Sequence, residues 1–339
     1  MIRADASMAI GTGHMMRCLA LAKAWQNAGG IATWLTAESI PALDQRLLRE
    51  GIDHSRIEVA AGTVDDAEQA VDEARRRNAA WVVVDGYRFF PDYITRLKRA
   101  GLRVIFMDDD GRFDSYPTDV VLNQNISASV AMYGKREAYT RLLLGSEYVL
   151  LRPEFLAETP IHDVPTIGRK VLITMGGSDP ENVSRKALLA MKLVKNDCEV
   201  RVVVGGGNPR GSELQALAGQ LNLPVQIECR PENMAPIMRW ANVAISAAGS
   251  TCWELAYMGV PSIVIALSSE QRGIAEGLSK AEIAVSLGWH ANLSEERIAD
   301  ALCSLLIDQR RRLAMSERGR KLIDGRGAAR VVQFLQNSL

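Results

Sequence analysis

The order Ile2-Arg3-Ala4, then Gly11-Thr12-Gly13-His14, then Met15-Met16-Arg17-Cys18-Leu19-Ala20-Leu21-Ala22-Lys23-Ala24-Trp25 reads as strand, glycine turn and helix. That order decides the fold class. The two glycines open backbone angles closed to other residues and let a ligand approach the main chain. The helix that follows begins with unpaired N–H groups and the positive end of its dipole. His14 stands at that junction, with a ring whose proton can come and go near neutral pH. Taken locally, a helix-start histidine with a satisfied hydrogen bond explains it equally well.

Outward from this stretch, apolar runs alternate with helical ones. Strands are expected at 31–36, 81–85, 103–107 and 120–123, with helices at 43–50, 66–77 and 91–100. Trp81-Val82-Val83-Val84-Asp85 is apolar without alternation, as a strand of a parallel sheet covered on both faces requires. Pro153, Pro160 and Pro165 interrupt the pattern, and residues 152–168 are expected as a linker. Alternation restarts with strands at 170–174, 200–204, 225–228, 243–246 and 262–266 and a helix over 181–194. From Ser294 onward the chain reads as helical, broken at Gly319 and at Gly325–Gly327. The expectation is an α/β protein of two Rossmann-like domains, residues 1–151 and 169–315, with 316–339 as helices packing back across them. Two such domains would face a central cleft at the carboxyl ends of their strands, where ligands bind.

The 339 residues are 47% hydrophobic and 24% charged, an ordinary globular balance. Lys plus Arg equals Asp plus Glu, 40 each, so no global basic surface invites nucleic acid. No apolar run approaches the roughly 20 residues that span a bilayer. The five cysteines lack CxxC spacing, against a zinc site or a disulfide framework. A cytoplasmic protein without stable membrane insertion is expected, as a monomer. The opening strand is short: either it is a stub, or the true start lies upstream of Met1.

Two glycine-rich turns mark the second half. Met175-Gly176-Gly177-Ser178-Asp179-Pro180 follows a strand and opens a helix, with Asp179 placed to cap it and Pro180 at its first position. The same geometry could hold a phosphate. Ser246-Ala247-Ala248-Gly249-Ser250-Thr251-Cys252-Trp253-Glu254 is a second cradle, and Glu254 lies one turn into its helix, where a carboxylate can accept from ribose hydroxyls. Neither turn has Walker or GxGxxG spacing. Gly205-Gly206-Gly207-Asn208-Pro209 either touches a base or simply turns the chain.

Gly11-x-Gly13-His14 followed by Met-x-Arg17, the Met175–Asp179 turn, and Ala247-Ala248-Gly249-Ser250-Thr251-x-Trp253-Glu254-Leu255 running to Gly259-Val260-Pro261 together resemble the PseG family. These are hydrolases of a UDP-linked diacetamido-trideoxyhexose in pseudaminic acid biosynthesis, related to MurG-type glycosyltransferases with the GT-B arrangement. The resemblance runs from residue 2 to about residue 275, with Asp324-Gly325-x-Gly327 in addition. It implies His14 and Tyr87 as catalytic residues. It implies substrate contacts from Gly11, Gly13, Arg17, Asp85, Asn123, Gly176, Gly177, Ser178, Ser250, Thr251, Glu254, Glu270 and Gln271. Asp108-Asp109 and Asn123 to Asn125 match further family turns. Gly86 stands where the family has His, and Glu270 where it usually has Asn.

The implied reaction is attack of water on an anomeric carbon, with His14 as base, inversion, and UDP as leaving group. Helix N-termini can stabilise the departing diphosphate, so neither a metal nor another cofactor is expected. Asp108-Asp109-Asp110 could suggest a cation site, but a polar turn before Gly111 is the simpler reading. His54, His162 and His290 are expected at the surface. The alternatives are an inverting glycosyltransferase on the same scaffold and a non-catalytic nucleotide-sugar-binding protein.

Overall fold

The computed structural model describes residues 1–5, 13–39, 41–160, 163–195 and 197–338. The chain divides into two compact units: Met1–Arg152 with Gly325–Leu339, and Pro153–Asp324.

The first unit holds seven strands: β1 (Ile2–Ala4), β2 (Thr33–Thr36), β3 (Asp53–Arg56), β4 (Val82–Asp85), β5 (Val104–Met107), β6 (Val120–Asn123) and β7 (Arg141–Leu144). They form one sheet in the order β3-β2-β1-β4-β5-β6-β7, and every pairing is parallel. β4, β5 and β6 are buried along their whole length, as helices on both faces demand. The helix Gly13–Asn27 lays Met15, Cys18, Leu19 and Leu21 on one face of the sheet. The last helix of the chain, Gly327–Asn337, packs against it with Val331, Val332 and Leu335. Gly327 lets this helix start against Tyr148 and Val149, since a Cβ there would lie 2.2 Å from the Val149 carbonyl.

The second unit repeats the plan with β8 (Lys170–Thr174), β9 (Glu199–Val204), β10 (Val225–Cys229), β11 (Val243–Ala247), β12 (Ser262–Ala266) and β13 (Ala284–Trp289). Their order is β10-β9-β8-β11-β12-β13, again all parallel. In both sheets the strand order reverses direction beside the first strand, between β1 and β4 and between β8 and β11. Ligands of doubly wound sheets bind outside the carboxyl ends at such a reversal.

Several expectations change. β3, β7 and β13 are strands that periodicity passed over; all three lie at sheet edges. His54, expected in a surface loop, sits on β3 and is only partly exposed. The expected linker belongs to the second unit: Pro153–Leu156 is a short helix, and Phe155 is wholly buried beside Leu172, Met238 and Leu255. Arg312, also fully buried, donates to the carbonyls of Pro165 and Thr166 in that stretch. Gly319 is no break, because the helix Gln309–Leu322 runs through it. A Cβ at Gly319 would stand 2.9 Å from the Ala256 carbonyl, so the glycine is there for close helix contact. The helix Gln309–Leu322 belongs to the second unit and Gly327–Asn337 to the first. No helix among the described residues is long and apolar enough to cross a membrane.

Candidate functional site

In the first unit, three chain segments meet at the strand-order reversal. β1 leads toward the helix that begins at Gly13, and β4 ends on Asp85. The stretch following β5 supplies Asp108 and Asp109. Gly11 lies outside the described residues, while Gly13 is exposed at the first helical position.

His14 is 8% exposed, with its Nδ1 2.8 Å from Asp85 Oδ1. Arg17, one turn on, clamps the same carboxylate in a bidentate pair, Nη2 to Oδ1 at 2.7 Å and Nε to Oδ2 at 2.8 Å. Arg17 Nη1 donates to Asp109 Oδ1 at 2.7 Å. The Cys18 thiol donates to Asp85 Oδ2 at 3.2 Å. Asp85 is fully buried, and burial alone would raise its pKa. The Arg17 guanidinium, with His14 beside it, outweighs burial and holds the carboxyl well below the usual carboxylate range. Asp109 is likewise lowered, with Arg17 overcoming burial. Arg17 Nη2 also lies 3.0 Å from His14 Nδ1. The two contacts compete for Nδ1, because the arginine can only donate and the ionised carboxylate only accept, and the carboxylate is the nearer and carries the charge that decides. The Nδ1 facing Asp85 therefore carries a proton, and the neutral ring keeps its lone pair on Nε2.

Tyr87 follows on an exposed turn, its ring edge-on to His14 at 4.7 Å between centroids. Gly86, the departure from the family pattern, has φ +146°, a conformation that strains any L side chain, and a Cβ there would come 3.1 Å from Phe89. Asn123 is enclosed: its amide donates to the Tyr133 hydroxyl at 2.8 Å, and its carbonyl accepts from the Asn125 amide. Asn125 in turn donates to Asp109 at 3.1 Å. Asp108 accepts from the Gly111 amide and the Tyr116 hydroxyl, so the Asp108–Asp110 run is a hydrogen-bonded turn. Among the described residues no group of three or more His, Cys, Asp or Glu is placed to hold a metal ion. An apolar cavity of about 550 Å³ lined by Leu21, Trp25, Trp81 and Leu335 lies at the opposite, amino-terminal end of these strands, away from His14.

In the second unit the glycine turns after β8 and β9 interlock. Gly207 N–H donates to the Gly177 carbonyl at 2.9 Å, and a Cβ on Gly205 would meet the Gly176 carbonyl at 2.3 Å. Asp179 does cap, from further back than expected. Its φ is +43°, and its carboxylate accepts from the amides of Val183 at 2.8 Å and Ser184 at 3.0 Å, where the helix begins. Pro180 is outside that helix. Ser250 is exposed at the start of the helix Thr251–Met258, with Thr251 and Glu254 on its first turn. Gln271 accepts from the Leu267 amide at 2.9 Å, and its Nε2 stands 3.6 Å from where a Gly249 Cβ would be. Glu270 is exposed beside it.

Known proteins place this architecture. Residues 171–327 match the model of the glycosyltransferase family 28 C-terminal domain. The structure of MurG from Acinetobacter baumannii superposes with a TM-score of 0.66 at 18% identity, covering 99% of this chain and 98% of that one. The fold is GT-B. The spore coat polysaccharide biosynthesis protein SpsG of Bacillus subtilis is 28% identical over 239 residues, 69% of each chain. The UDP-2,4-diacetamido-2,4,6-trideoxy-beta-L-altropyranose hydrolase of Campylobacter jejuni is 25% identical over 282 residues, 83% of this chain and 96% of its own.

Sequence reasoning passed over Arg112, which the fold sets beside Tyr87 with Nη2 donating to its carbonyl at 2.9 Å. It is the one cation in the acidic run Asp108-Asp109-Asp110-Gly111-Arg112-Phe113-Asp114, which is a signal that could have found it.

Proposed function

We propose that this protein uses a UDP-sugar and hydrolyses it, releasing UDP from a diacetamido-trideoxyhexose of the kind named for the Campylobacter relative. The observation that carries the reading is the buried Asp85 carboxylate set 2.8 Å from His14 Nδ1. That contact leaves Nε2 as the basic nitrogen. Water attacks the anomeric carbon while its proton passes to His14 Nε2. The bond from that carbon to the diphosphate oxygen breaks, its electron pair leaves with UDP, and the configuration inverts. Asp85, kept ionised by Arg17, stabilises the imidazolium as it forms, the role of the carboxylate in other His–Asp pairs. Arg17 and Asp85, whose hydrogen bonds are used on each other and on His14, act here as positioning residues rather than substrate contacts. Tyr87 orients the water or a sugar hydroxyl. In the second unit, Gly176, Gly177 and the helix start at Ser250 and Thr251 take the diphosphate, and Glu254 takes the ribose.

An inverting transferase is the second reading, and the family 28 match favours it. Incubating the purified protein with UDP-sugars alone separates the two. UDP release without acceptor supports hydrolysis, and release only on adding an acceptor supports transfer. Tight binding with no turnover under either condition overturns both.

A further inference from the structure

Arg112 is exposed and lies near three aromatic rings, one of which, Tyr87, abuts His14. Its guanidinium carbon lies 4.8 Å from the Phe113 centroid, 5.5 Å from Tyr87 and 5.9 Å from Phe90. Nη2 donates to the Tyr87 carbonyl at 2.9 Å, which ties the arginine to the residue whose ring abuts His14. No carboxylate among the described residues pairs with it; the nearby Asp114 faces Lys135 at 3.4 Å. A guanidinium with one nitrogen on the Tyr87 carbonyl and its carbon near three rings keeps further N–H donors for a ligand. Five donors in a rigid plane suit an oxygen with in-plane lone pairs, such as a carboxylate or an amide carbonyl. The rings of Tyr87 and Phe90 are 47% and 55% exposed and so present apolar surface next to the guanidinium.

We propose that Arg112 selects the glycosyl group, donating to an sp² oxygen carried on the sugar while Tyr87 and Phe90 take its C–H face. This inference rests on the nucleotide-sugar reading given above. The chemistry admits two sources of that oxygen, a uronic carboxylate or an N-acyl carbonyl, and one experiment distinguishes them.

Calorimetric titration of the full chain with UDP, UDP-glucose, UDP-N-acetylglucosamine and UDP-glucuronate provides the test. The wild type should bind one of the latter two about tenfold or more tighter than UDP-glucose, the scale of one charge-assisted hydrogen bond. Arg112→Ala and Arg112→Gln should erase that preference and leave UDP affinity unchanged. A gain on the N-acetyl sugar names the amide and agrees with the diacetamido sugar proposed above, whereas a gain on the glucuronate names the carboxylate and overturns that sugar while leaving the UDP-sugar reading. Equal binding of all three sugars by the wild type, or a preference that survives in both variants, overturns the assignment and leaves the nucleotide reading standing. Failure of UDP itself to bind overturns both.

Discussion

Asp85 Oδ1 receives two hydrogen bonds, from His14 Nδ1 at 2.8 Å and from Arg17 Nη2 at 2.7 Å. One carboxylate oxygen thus fixes the imidazole tautomer and anchors the cation that keeps the carboxylate charged. Asp85→Asn preserves the shape and removes the charge, and its amide can present N–H to Nδ1 and move the ring proton to Nε2. We expect kcat for UDP release to fall on the order of a hundredfold or more with KM little changed, since a base acts in the transition state. His14→Ala should fall at least as far. Steady-state kinetics reads this directly, and an effect confined to KM would remove His14 from the base role.

The same carboxylates make the first unit sensitive to acid. Asp85 and Asp109 are both held below their ordinary range in the folded state. A depressed pKa contributes stability that is fully present above the unfolded value of about 4 and is lost as pH falls through the folded value. Melting temperature should therefore be flat from pH 7 to about pH 5 in this respect and decline below about pH 4. Asp85→Asn should melt lower at neutral pH and show a shallower acid decline. Parallel acid limbs for the two proteins would contradict the linkage.

The central strands were legible in the sequence because burial on both faces leaves uninterrupted apolar runs, as in Val82–Val84 and Val104–Met107. The strands that escaped notice, β3, β7 and β13, lie at edges, where one side meets no neighbour. In β3 polar residues, Asp53-His54-Ser55-Arg56, are tolerated there and the pattern fades, while β7 is a brief apolar run and β13 is interrupted by Ser286 and Gly288. The candidate residues His14 and Asp85 could be named from their motifs, but not their contact, which joins positions 71 apart. Arg17 reads as a ligand-facing residue on its helix; only the fold brings Asp109, 92 positions away, to occupy its remaining edge. The Gly319 reading failed for a related reason. A glycine inside a helical pattern looks like a stop until the neighbouring helix is seen to need the space.

Arg312 is a buried cation without a carboxylate among the hydrogen bonds it makes. It donates to the Leu305 carbonyl at 2.5 Å and to Leu306, at the end of the helix Glu295–Ile307, where the dipole favours positive charge. Its other nitrogen holds Pro165 and Thr166 at 2.6 and 3.1 Å. Arg312→Met fills most of the volume but orphans these carbonyls. A loss of about 2–4 kcal/mol in denaturant unfolding is expected, several unsatisfied acceptors at about 1 kcal/mol or more each, not fully additive. A change under about 0.5 kcal/mol, the range of ordinary surface substitutions, would show the tether to be dispensable.

Gly205 and Gly206 are neighbours in sequence with opposite surroundings, and so form a controlled pair. A Cβ on Gly205 would lie 2.3 Å from the Gly176 carbonyl and 2.4 Å from that of Gly177, while nothing stands within 4 Å of one on Gly206. Backbone cannot yield as a flexible side chain does, so Gly205→Ala must push the two turns apart and strain the Gly207–Gly177 hydrogen bond of 2.9 Å. The expected cost is about 1–3 kcal/mol of stability, the range for overpacking a close contact. If the Gly176–Gly177 turn holds diphosphate, UDP affinity should fall in the same variant. Gly206→Ala should change neither quantity appreciably. Denaturant unfolding and UDP titration on both proteins give the answer: equal behaviour of the two variants would show that the interlock of these turns does not matter, and lost stability with intact UDP binding would move the diphosphate away from Gly176.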